Sequence, residues 1–259
     1  MLKILSTIQK NIKNKKLIVF DLDGTLAESK KEIDQEMVLL LTKLLEKKKI
    51  AVIGGGKYEL FQSQLLARLK VPEPLLKKLF LFPTSATVFY RYYKNDWRQV
   101  YCHELSIKDR QRTVKAIKET LEEIRYKRPL KTYGELIEDR GTQVTFSALG
   151  QEASVRLKEK WKKENSVLRL KMLKVLQKKI SDMEVRAGGS TSIDVTRKGI
   201  DKAYGLNQIK KHLGPKFSEM LFVGDALFPG GNDYAALKIG VECVAVKGPK
   251  ETKRIIKLL

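Results

Sequence analysis

Two aspartates, Asp21 and Asp23, could act together because they stand two residues apart at the end of an apolar run. The run from 17 to 21 is typical of a β-strand, and strand side chains alternate in direction, so both carboxylates leave the strand on one side. One could attack phosphorus as nucleophile while the other protonates the leaving oxygen and later activates the acceptor. Two such carboxylates repel each other, and we therefore expect an oxygen-liganded Mg²⁺ beside them. The alternative is a strand that ends in an ordinary turn.

A second acidic strand end supports the chemical interpretation. Residues 221–233 read Leu-Phe-Val-Gly-Asp-Ala-Leu-Phe-Pro-Gly-Gly-Asn-Asp, again an apolar strand that stops in an acidic, glycine-rich loop. Asp225 stands where this strand could bring a metal ligand to the first one. Asn232 follows on a loop whose glycines permit close backbone approach. Two unrelated turns are a poor explanation for this pair of segments.

The elements that must position these residues point to an α/β core. Apolar strands at about 17–21, 50–53 and 220–224, with a helical stretch at 32–48, predict a parallel sheet flanked by helices. Ligands bind such sheets outside the carboxyl ends of the strands, which is where Asp21, Gly54 and Asp225 fall.

The middle of the chain has a different pattern. It alternates from 88 to 101, is helical at about 106–125 and 151–177, and has strands near 143–149 and 190–196. This predicts an antiparallel sheet backed by two helices. The predicted fold is thus a Rossmann-like core, 1–85 and 198–259, with an inserted α+β cap, 86–197. The aromatic residues of the first alternating stretch are expected to pack on the cap sheet: Phe89, Tyr90, Tyr92, Tyr93 and Trp97.

The two acidic segments resemble the first and fourth motifs of the haloacid dehalogenase-like phosphotransferases. Between them, residues 192–202, Ser-Ile-Asp-Val-Thr-Arg-Lys-Gly-Ile-Asp-Lys, resemble the segment that carries the third-motif lysine in the branch with an inserted cap. The Pro-Gly-Gly-Asn-Asp ending and the Gly-X-Asp-Lys step are most similar to phosphomannomutases of eukaryotic type. The resemblance extends from about residue 17 to the C-terminus.

This resemblance implies roles for individual residues. Asp21 would be the nucleophile, Asp23 the acid/base, and Lys202 the group that holds the transferring phosphoryl and offsets the charge of Asp21. Mg²⁺ would bind the Asp21 carboxylate, the backbone carbonyl of Asp23 and Asp225. Asn232 would contact substrate. Without the resemblance, Lys202 would be interpreted as a solvated helix lysine.

The second motif departs from the family pattern. A Ser or Thr hydroxyl is expected after the strand at 50–53, but Gly54-Gly55-Gly56-Lys57 stands there. Gly54 could still offer a backbone N–H to phosphate, since glycine-rich turns at helix starts bind anions. Gly54, Gly55 and Lys57 are therefore the predicted substrate-binding residues of this loop, and the lost hydroxyl predicts a slower chemical step.

The cap residues are expected to bind the sugar or its distal phosphate. Arg140 corresponds to one arginine of the cluster by which phosphomannomutases hold that phosphate, and Ser192 and Asp194 share one strand face. Gln151 stands where another arginine is expected, and a neutral amide cannot replace a bidentate guanidinium. As alternatives, Arg140 forms surface ion pairs with Glu138 and Asp139, and Ser192 is an outward strand residue.

The formal net charge of +22 suggests another class of function, binding to nucleic acid or an acidic surface. Its lysine runs lie along amphipathic helices and no nucleic-acid motif accompanies them, so we do not expect nucleic acid as a partner. A nucleic-acid binder with a relict site is the distant alternative. There is no long apolar run, so no membrane span is expected. Residues 1–16 are predicted to form an amphipathic helix packed on the core, with binding to a membrane surface or a partner as the alternative.

The sequence thus predicts a cytoplasmic, Mg²⁺-dependent phosphotransferase with an aspartyl-phosphate intermediate. Its substrate would be a hexose phosphate, with phosphomannomutase-like interconversion of mannose 6-phosphate and mannose 1-phosphate as the leading version. A sugar-phosphate phosphatase of the same superfamily is the alternative. A homodimer formed through the cap is left open. The two cysteines, Cys102 and Cys243, are too few and too isolated for a disulfide framework or a zinc site, in keeping with a reducing compartment.

Overall fold

The computed structural model describes residues 14–29 and 31–259, and it divides into two compact units. The core unit comprises the described residues up to Cys102 together with Asp201–Leu259, and the cap unit is His103–Ile200. An α/β unit and a unit with its own antiparallel sheet confirm the predicted fold class. The predicted N-terminal amphipathic helix falls mostly on residues 1–13, which lie outside the described residues.

The core unit is built on a seven-stranded sheet. In chain order its strands are β1 (Leu17–Asp21), β2 (Lys49–Ile53), β3 (Leu79–Phe82), β4 (Val88–Tyr93), β5 (Asp96–Cys102), β10 (Met220–Gly224) and β11 (Glu242–Ala245). Their order across the sheet is β11-β10-β1-β2-β3-β4-β5. The first five in this order run parallel, and β4 and β5 are antiparallel to their neighbours. The predicted parallel strands all lie in this sheet, with β1 in the middle of its five parallel strands.

Helices cover both faces of this sheet, since strands such as β1 are apolar on both sides. The alternating side chains of β1 divide between two clusters: Ile18 and Phe20 pack in one, and Val19 packs in the other. The helices of the core unit include α1 (Gln35–Lys47), α2 (Tyr58–Phe61), α3 (Glu73–Leu76), α7 (Lys202–Leu213), α8 (Tyr234–Leu237) and α9 (Pro249–Leu258). A π-helical segment, Gln62–Leu66, follows α2 directly.

The hairpin β4–β5 corrects the predicted domain boundary. We expected the cap to begin at 86, but β4 pairs with β3, with Leu81 opposite Tyr90, so the hairpin extends the core sheet. The chain therefore divides after Cys102, and on the return at Asp201 instead of 198. The aromatic residues follow the hairpin. Phe89 is buried in a core-unit cluster and stacks on Phe82, so the expected packing on the cap sheet is wrong.

The cap unit has a four-stranded antiparallel sheet in the order β6-β7-β9-β8. Its elements are α4 (Ile107–Glu123), β6 (Ile137–Asp139), β7 (Val144–Ser147), α5 (Val155–Glu164), α6 (Ser166–Lys179), β8 (Met183–Ala187) and β9 (Ser192–Arg197). The single helix expected at 151–177 is broken at Asn165, whose side-chain amide donates to the Trp161 carbonyl. One face of the sheet is apolar, with Phe146 and Ile193 packed against helix residues such as Met172.

No helix within the described ranges is both long enough and apolar enough to cross a lipid bilayer.

Candidate active site

Three carboxylates meet at the carboxyl edge of the core sheet. Asp21 is the last residue of β1, Asp225 directly follows β10, and Asp233 directly precedes α8. Because β1 and β10 are parallel neighbours, their carboxyl ends lie at the same edge. One oxygen of each carboxylate lies within 4.8 Å of the others. The structure thus brings the predicted Asp21 and Asp225 together and adds Asp233 to them.

This cluster fits a hard divalent cation. Asp233 is fully buried, and its Oδ2 accepts the Ala226 N–H at 3.1 Å. Its Oδ1 forms an ion pair with Lys202 Nζ at 3.1 Å. Lys202 also pairs with Asp21, so one ammonium serves two buried carboxylates beside Asp225, and a bound cation would balance the remaining negative charge. The donor set is oxygen only, which is the set that Mg²⁺ prefers.

Lys202 links the cluster to the nucleophile candidate. It is the first residue of α7, whose N-terminus is capped by the Asp201 side chain accepting the Tyr204 N–H at 2.9 Å. Lys202 Nζ donates to Asp21 Oδ1 at 2.5 Å and to the Ile53 carbonyl at 3.1 Å. It also forms an ion pair with Asp233 Oδ1 at 3.1 Å. The interpretation of Lys202 as a solvated helix lysine is therefore wrong, since only 4 % of it is exposed.

The charges in this cluster shift one another's pKa values. Burial raises the pKa of Asp21 well above its ordinary value; the Lys202 charge opposes this, and the negative charge of Asp233 adds to it. Burial alone would lower the pKa of Lys202, but Asp21 and Asp233 outweigh it and raise that pKa. Desolvation and the Asp233 charge also raise the pKa of Asp225. Lys202 thus stays charged, while the carboxylates are held together at a cost that a bound cation would offset.

Asp23 is held in a separate interaction. Gln64 Nε2 donates to Asp23 Oδ1 at 3.0 Å, and Gln64 is almost fully buried in the π-helical segment. Gly24 directly follows Asp23 and has a φ of +84°, and an added Cβ there would stand 2.5 Å from Asp225 Oδ2. A glycine is therefore required at this turn both for its left-handed backbone and for the close approach of Asp225.

The glycine loop after β2 is tied to the end of β3. The Thr84 N–H donates to the Gly56 carbonyl and the Ser85 N–H to the Gly54 carbonyl, both at 2.9 Å. The Gly54 N–H itself donates to the Phe82 carbonyl at 3.3 Å. The expectation that this N–H is offered to phosphate is therefore not met in this structure. The other two predicted residues of the loop, Gly55 and Lys57, are partly buried, and their binding role stays a prediction.

The second face of the cap sheet is polar. In register across the four strands lie Glu138, Thr145, Asp194 and Arg186, so their side chains share this face. Thr145 Oγ1 donates to Asp194 Oδ1 at 2.8 Å. Burial raises the pKa of Asp194, and the charge of Arg140 opposes the shift. We refer to this surface as the polar cap face.

Arg140 belongs to the polar cap face. Its Nε donates to Glu138 Oε2 at 2.8 Å, and its Nη2 donates to Gln151 Oε1 at 3.3 Å. The ion pair with Glu138 agrees with the alternative interpretation, but the Arg140 side chain is only 10 % exposed, and Asp139 pairs with Arg110 instead. Arg140 is thus placed beside the predicted Asp194 rather than on an open surface.

A sequence model described as eukaryotic phosphomannomutase matches residues 37–259 of this chain. The chain belongs to this family. The phosphomannomutase of Saccharomyces cerevisiae is 30 % identical over 84 % of the chain and 83 % of its own length. Human phosphomannomutase 1 is 28 % identical over 86 % of the chain and 83 % of its own length.

The solved structures similar to this chain share its fold. An N-terminally truncated Plasmodium falciparum IMP-nucleotidase superimposes with a TM-score of 0.72 at 18 % identity, over 98 % of this chain and 72 % of that one. The Aspergillus fumigatus trehalose-6-phosphate phosphatase gives a TM-score of 0.57 at 15 % identity, over 98 % of this chain and 96 % of that one.

Within this member of the phosphomannomutase family, the predicted residues fall into two groups. The core unit brings Asp21, Lys202 and Asp225 into contact or near contact, while Asn232 is exposed on the loop before Asp233. The cap unit places Arg140, Ser192 and Asp194 on one sheet, with Asp194 and Arg140 electrostatically coupled. Their binding roles stay predictions.

Sequence reasoning missed several residues of these sites. Asp233 was visible in the fourth motif, directly after the predicted Asn232, and the motif alone could have suggested it. Gln64 and Gly205 carried no signal. An added Cβ at Gly205 would lie 2.2 Å from Ile53 Cδ1, so glycine lets α7 approach the strand whose carbonyl receives Lys202. Arg186 was missed because β8 was not predicted as a strand.

Proposed function

We propose that this protein is a Mg²⁺-dependent phosphotransferase that interconverts mannose 6-phosphate and mannose 1-phosphate through an aspartyl phosphate. The observation that carries the proposal is the buried contact of Lys202 with Asp21, next to Asp225 and Asp233, in a chain of the phosphomannomutase family. Positioning and charge neutralisation are the main sources of catalysis in phosphoryl transfer.

Asp21 is the nucleophile of the proposed reaction. Lys202 holds Oδ1, and the other oxygen attacks phosphorus; the P–O bond to the donor sugar breaks as Asp23 gives its proton to the departing oxygen. Gln64 keeps the Asp23 carboxyl in place through the bond to Oδ1. In the return step Asp23 removes a proton from a hydroxyl of the acceptor sugar, and the phosphoryl group leaves Asp21.

Asp21, Asp225 and Asp233 surround the position that would hold Mg²⁺, with the backbone carbonyl of Asp23 as a further proposed ligand. When bound, the ion neutralises charge on the phosphoryl oxygens and on the three carboxylates. The negative charge of the three carboxylates exceeds the single positive charge of Lys202, which supports this assignment.

The polar cap face supplies the groups proposed to recognise the sugar phosphate. Arg140 offers a guanidinium to phosphate, and Ser192 and Asp194 offer a hydroxyl and an acceptor to sugar hydroxyls. The free cysteines Cys102 and Cys243 fit a reducing compartment, and we propose the cytoplasm. A homodimer formed through the cap stays a proposal.

Replacement of Asp21 tests the mechanism. Asp21→Asn removes the nucleophile but keeps shape and a hydrogen-bond acceptor for Lys202, so turnover should fall by at least about a thousandfold. Asp96→Asn, at an exposed position of the β4–β5 hairpin, is the matched control and should keep full activity. Activity of Asp21→Asn near the level of this control would refute the aspartyl-phosphate mechanism.

The product of the wild-type protein separates the two candidate reactions. Purified protein with Mg²⁺, mannose 1-phosphate and a trace of hexose bisphosphate should form mannose 6-phosphate without free phosphate. Release of free phosphate without the isomer would instead identify a sugar-phosphate phosphatase. The absence of a hydroxyl at Gly54 makes this comparison necessary, since that group normally holds a phosphoryl oxygen in the superfamily.

A further inference from the structure

Matching Glu-X-Arg pairs stand at the two edges of the cap sheet. At one edge, Arg140 directly follows β6 and is bound to Glu138, as described above. On β8, Arg186 Nη2 lies 3.2 Å from Glu184 Oε1, again two residues earlier in the chain. Residues two apart in a strand share a face, and Arg186 is directly opposite Asp194 in register. Glu184 and Arg186 therefore lie on the polar cap face at one edge, and Glu138 lies on it at the other edge with Arg140 bound to it.

Arg186 is close enough to Asp194 to share a ligand with it. Cross-strand neighbours have Cβ atoms about 5 Å apart, and an arginine side chain spans more than that distance. At the other edge Arg140 is bound to Glu138, which is in register with Thr145, and Thr145 donates to Asp194. A group bound above Asp194 is thus within reach of a guanidinium from each edge of the cap sheet.

The third cap arginine near this face has a different task. Arg169 Nη2 donates to the backbone carbonyls of Gly188, Gly189 and Ser192, at 3.2, 2.5 and 2.8 Å. It therefore fixes the turn that joins β8 to β9 and, with it, the relative position of Arg186 and Asp194. The Arg169 guanidinium thus binds the backbone, whereas Arg186 pairs with the Glu184 side chain and keeps 41 % of its own side chain exposed.

We propose that Arg186 is the second phosphate-binding guanidinium of the polar cap face, acting with Arg140 on the phosphate of the sugar. A phosphate dianion is held best by more than one charge-assisted hydrogen-bond donor. Gln151 supplies no charge and instead accepts from Arg140. In this assignment Glu184 holds Arg186 in place until the phosphate takes over its guanidinium. The inference rests on the proposed function for the identity of the ligand, but not for the existence of the anion site.

The test is phosphate binding by the full-length protein without Mg²⁺. Under these conditions the three core carboxylates repel anions, so titration calorimetry with mannose 6-phosphate reports mainly on the cap. Arg186→Gln should weaken binding by about ten- to a hundredfold. Arg186→Lys should weaken binding by a smaller factor, because an ammonium cannot bind phosphate in bidentate fashion. Arg112→Gln, another cap arginine paired with carboxylates, is the control and should change the affinity less than about twofold.

A second variant keeps the proposal testable if Arg186→Gln does not fold. Glu184→Gln removes the carboxylate that competes for Arg186, and it should tighten binding by about threefold or more, whereas the exposed control Glu122→Gln should not. Equal effects of Arg186→Gln and Arg112→Gln, or of the two glutamate variants, would overturn the proposal. An affinity of Arg186→Gln equal to that of the wild-type protein would also overturn the proposal. This experiment measures binding and not turnover. Its result can therefore be interpreted even if the protein does not catalyse the proposed mutase reaction.

Discussion

Asp225 is the best residue with which to separate metal binding from folding. It is exposed, whereas Asp21 and Asp233 are buried and bound to Lys202. Its carboxylate lies near Thr25 Oγ1 at 3.5 Å, a weak contact whose loss costs little. A neutral residue in place of Asp225 removes one negative charge from the cluster and leaves no buried charged group unpaired.

We expect Asp225→Asn to abolish the stabilisation by Mg²⁺ without lowering the metal-free melting temperature. In the wild-type protein, saturating Mg²⁺ should raise Tm by about 5 °C, since a ligand at a hundred times its Kd adds about 2.7 kcal/mol. Differential scanning fluorimetry with and without Mg²⁺ measures both values, with Asp96→Asn as control. An undiminished Mg²⁺ response in Asp225→Asn would remove Asp225 from the ligand set.

The stabilisation by Mg²⁺ should also depend on pH. The pKa values of Asp21 and Asp225 are raised in the folded chain, so the folded state holds protons that the unfolded state releases. Stability without metal therefore falls as pH rises from the ordinary aspartate range through the raised values. Mg²⁺ offsets this loss, and the Tm difference between the two conditions should grow with pH. A difference that is constant from about pH 4.5 to 7.5 would contradict the assigned cause.

Site residues that occupy a defined place in a sequence motif could be predicted. Residues that only hold those side chains in position could not. Asp21 and Lys202 were identified from their segments, because strand ends and a Gly-X-Asp-Lys step define their place. Gln64 lies 41 positions from Asp23, and nothing in the local sequence connects the two. Such contacts depend on how the π-helical segment packs after the chain has folded.

The turn after β1 is a backbone element that positions the cluster. Gly24 lies in the left-handed region, and a side chain there would collide with Asp225. We expect Gly24→Ala to destabilise the protein by at least about 1–2 kcal/mol and to weaken Mg²⁺ binding. Gly189→Ala is the control, because an added Cβ there meets no atom within 4 Å. Chemical denaturation with and without Mg²⁺ checks both effects, and equal stability of the two variants would contradict this reasoning.

The hairpin β4–β5 shows where element prediction failed. Its alternating pattern is that of a half-exposed strand pair, and the pattern does not say which sheet the pair joins. Pairing with β3 places Tyr90 against Tyr58, with ring centroids 3.9 Å apart. Strand β8 was missed for a similar reason, since Met183–Ala187 is short and mixed in polarity. Strands buried on both faces, such as β1, were predicted correctly because they are apolar throughout.

The charge of the whole chain should govern its affinity for anionic substrates. Between Val155 and Lys179 alone there are ten lysines and arginines and two glutamates. Fields of this size attract sugar phosphates and are screened over about 10 Å at 0.1 M salt. We expect KM for mannose 1-phosphate to rise several-fold between about 20 and 300 mM salt, with kcat nearly constant. A kcat/KM independent of salt would show that the charge does not steer the substrate.

The presence of two units could be predicted from the sequence, but the residues at which they divide could not. A motif-bearing α/β sequence interrupted by a helix-rich alternating segment indicates an insertion, and the sheet composition of each unit agrees with that. The boundary depends on which sheet takes the residues from 88 to 102, and this is settled by the pairing of Tyr90 with Leu81 rather than by composition.

The turn at Pro83–Ala86 contains three consecutive non-glycine residues with positive φ, Thr84, Ser85 and Ala86. Each such conformation costs free energy, which the surrounding fold must supply. The hydroxyl groups of Thr84 and Thr87 are hydrogen-bonded at 2.7 Å. The same turn binds Gly54 and Gly56 through backbone hydrogen bonds. A triglycine loop would otherwise lose much conformational entropy when it closes on a ligand. Here that entropy is already lost when the protein folds, so a ligand that meets this loop has little ordering left to oppose its binding.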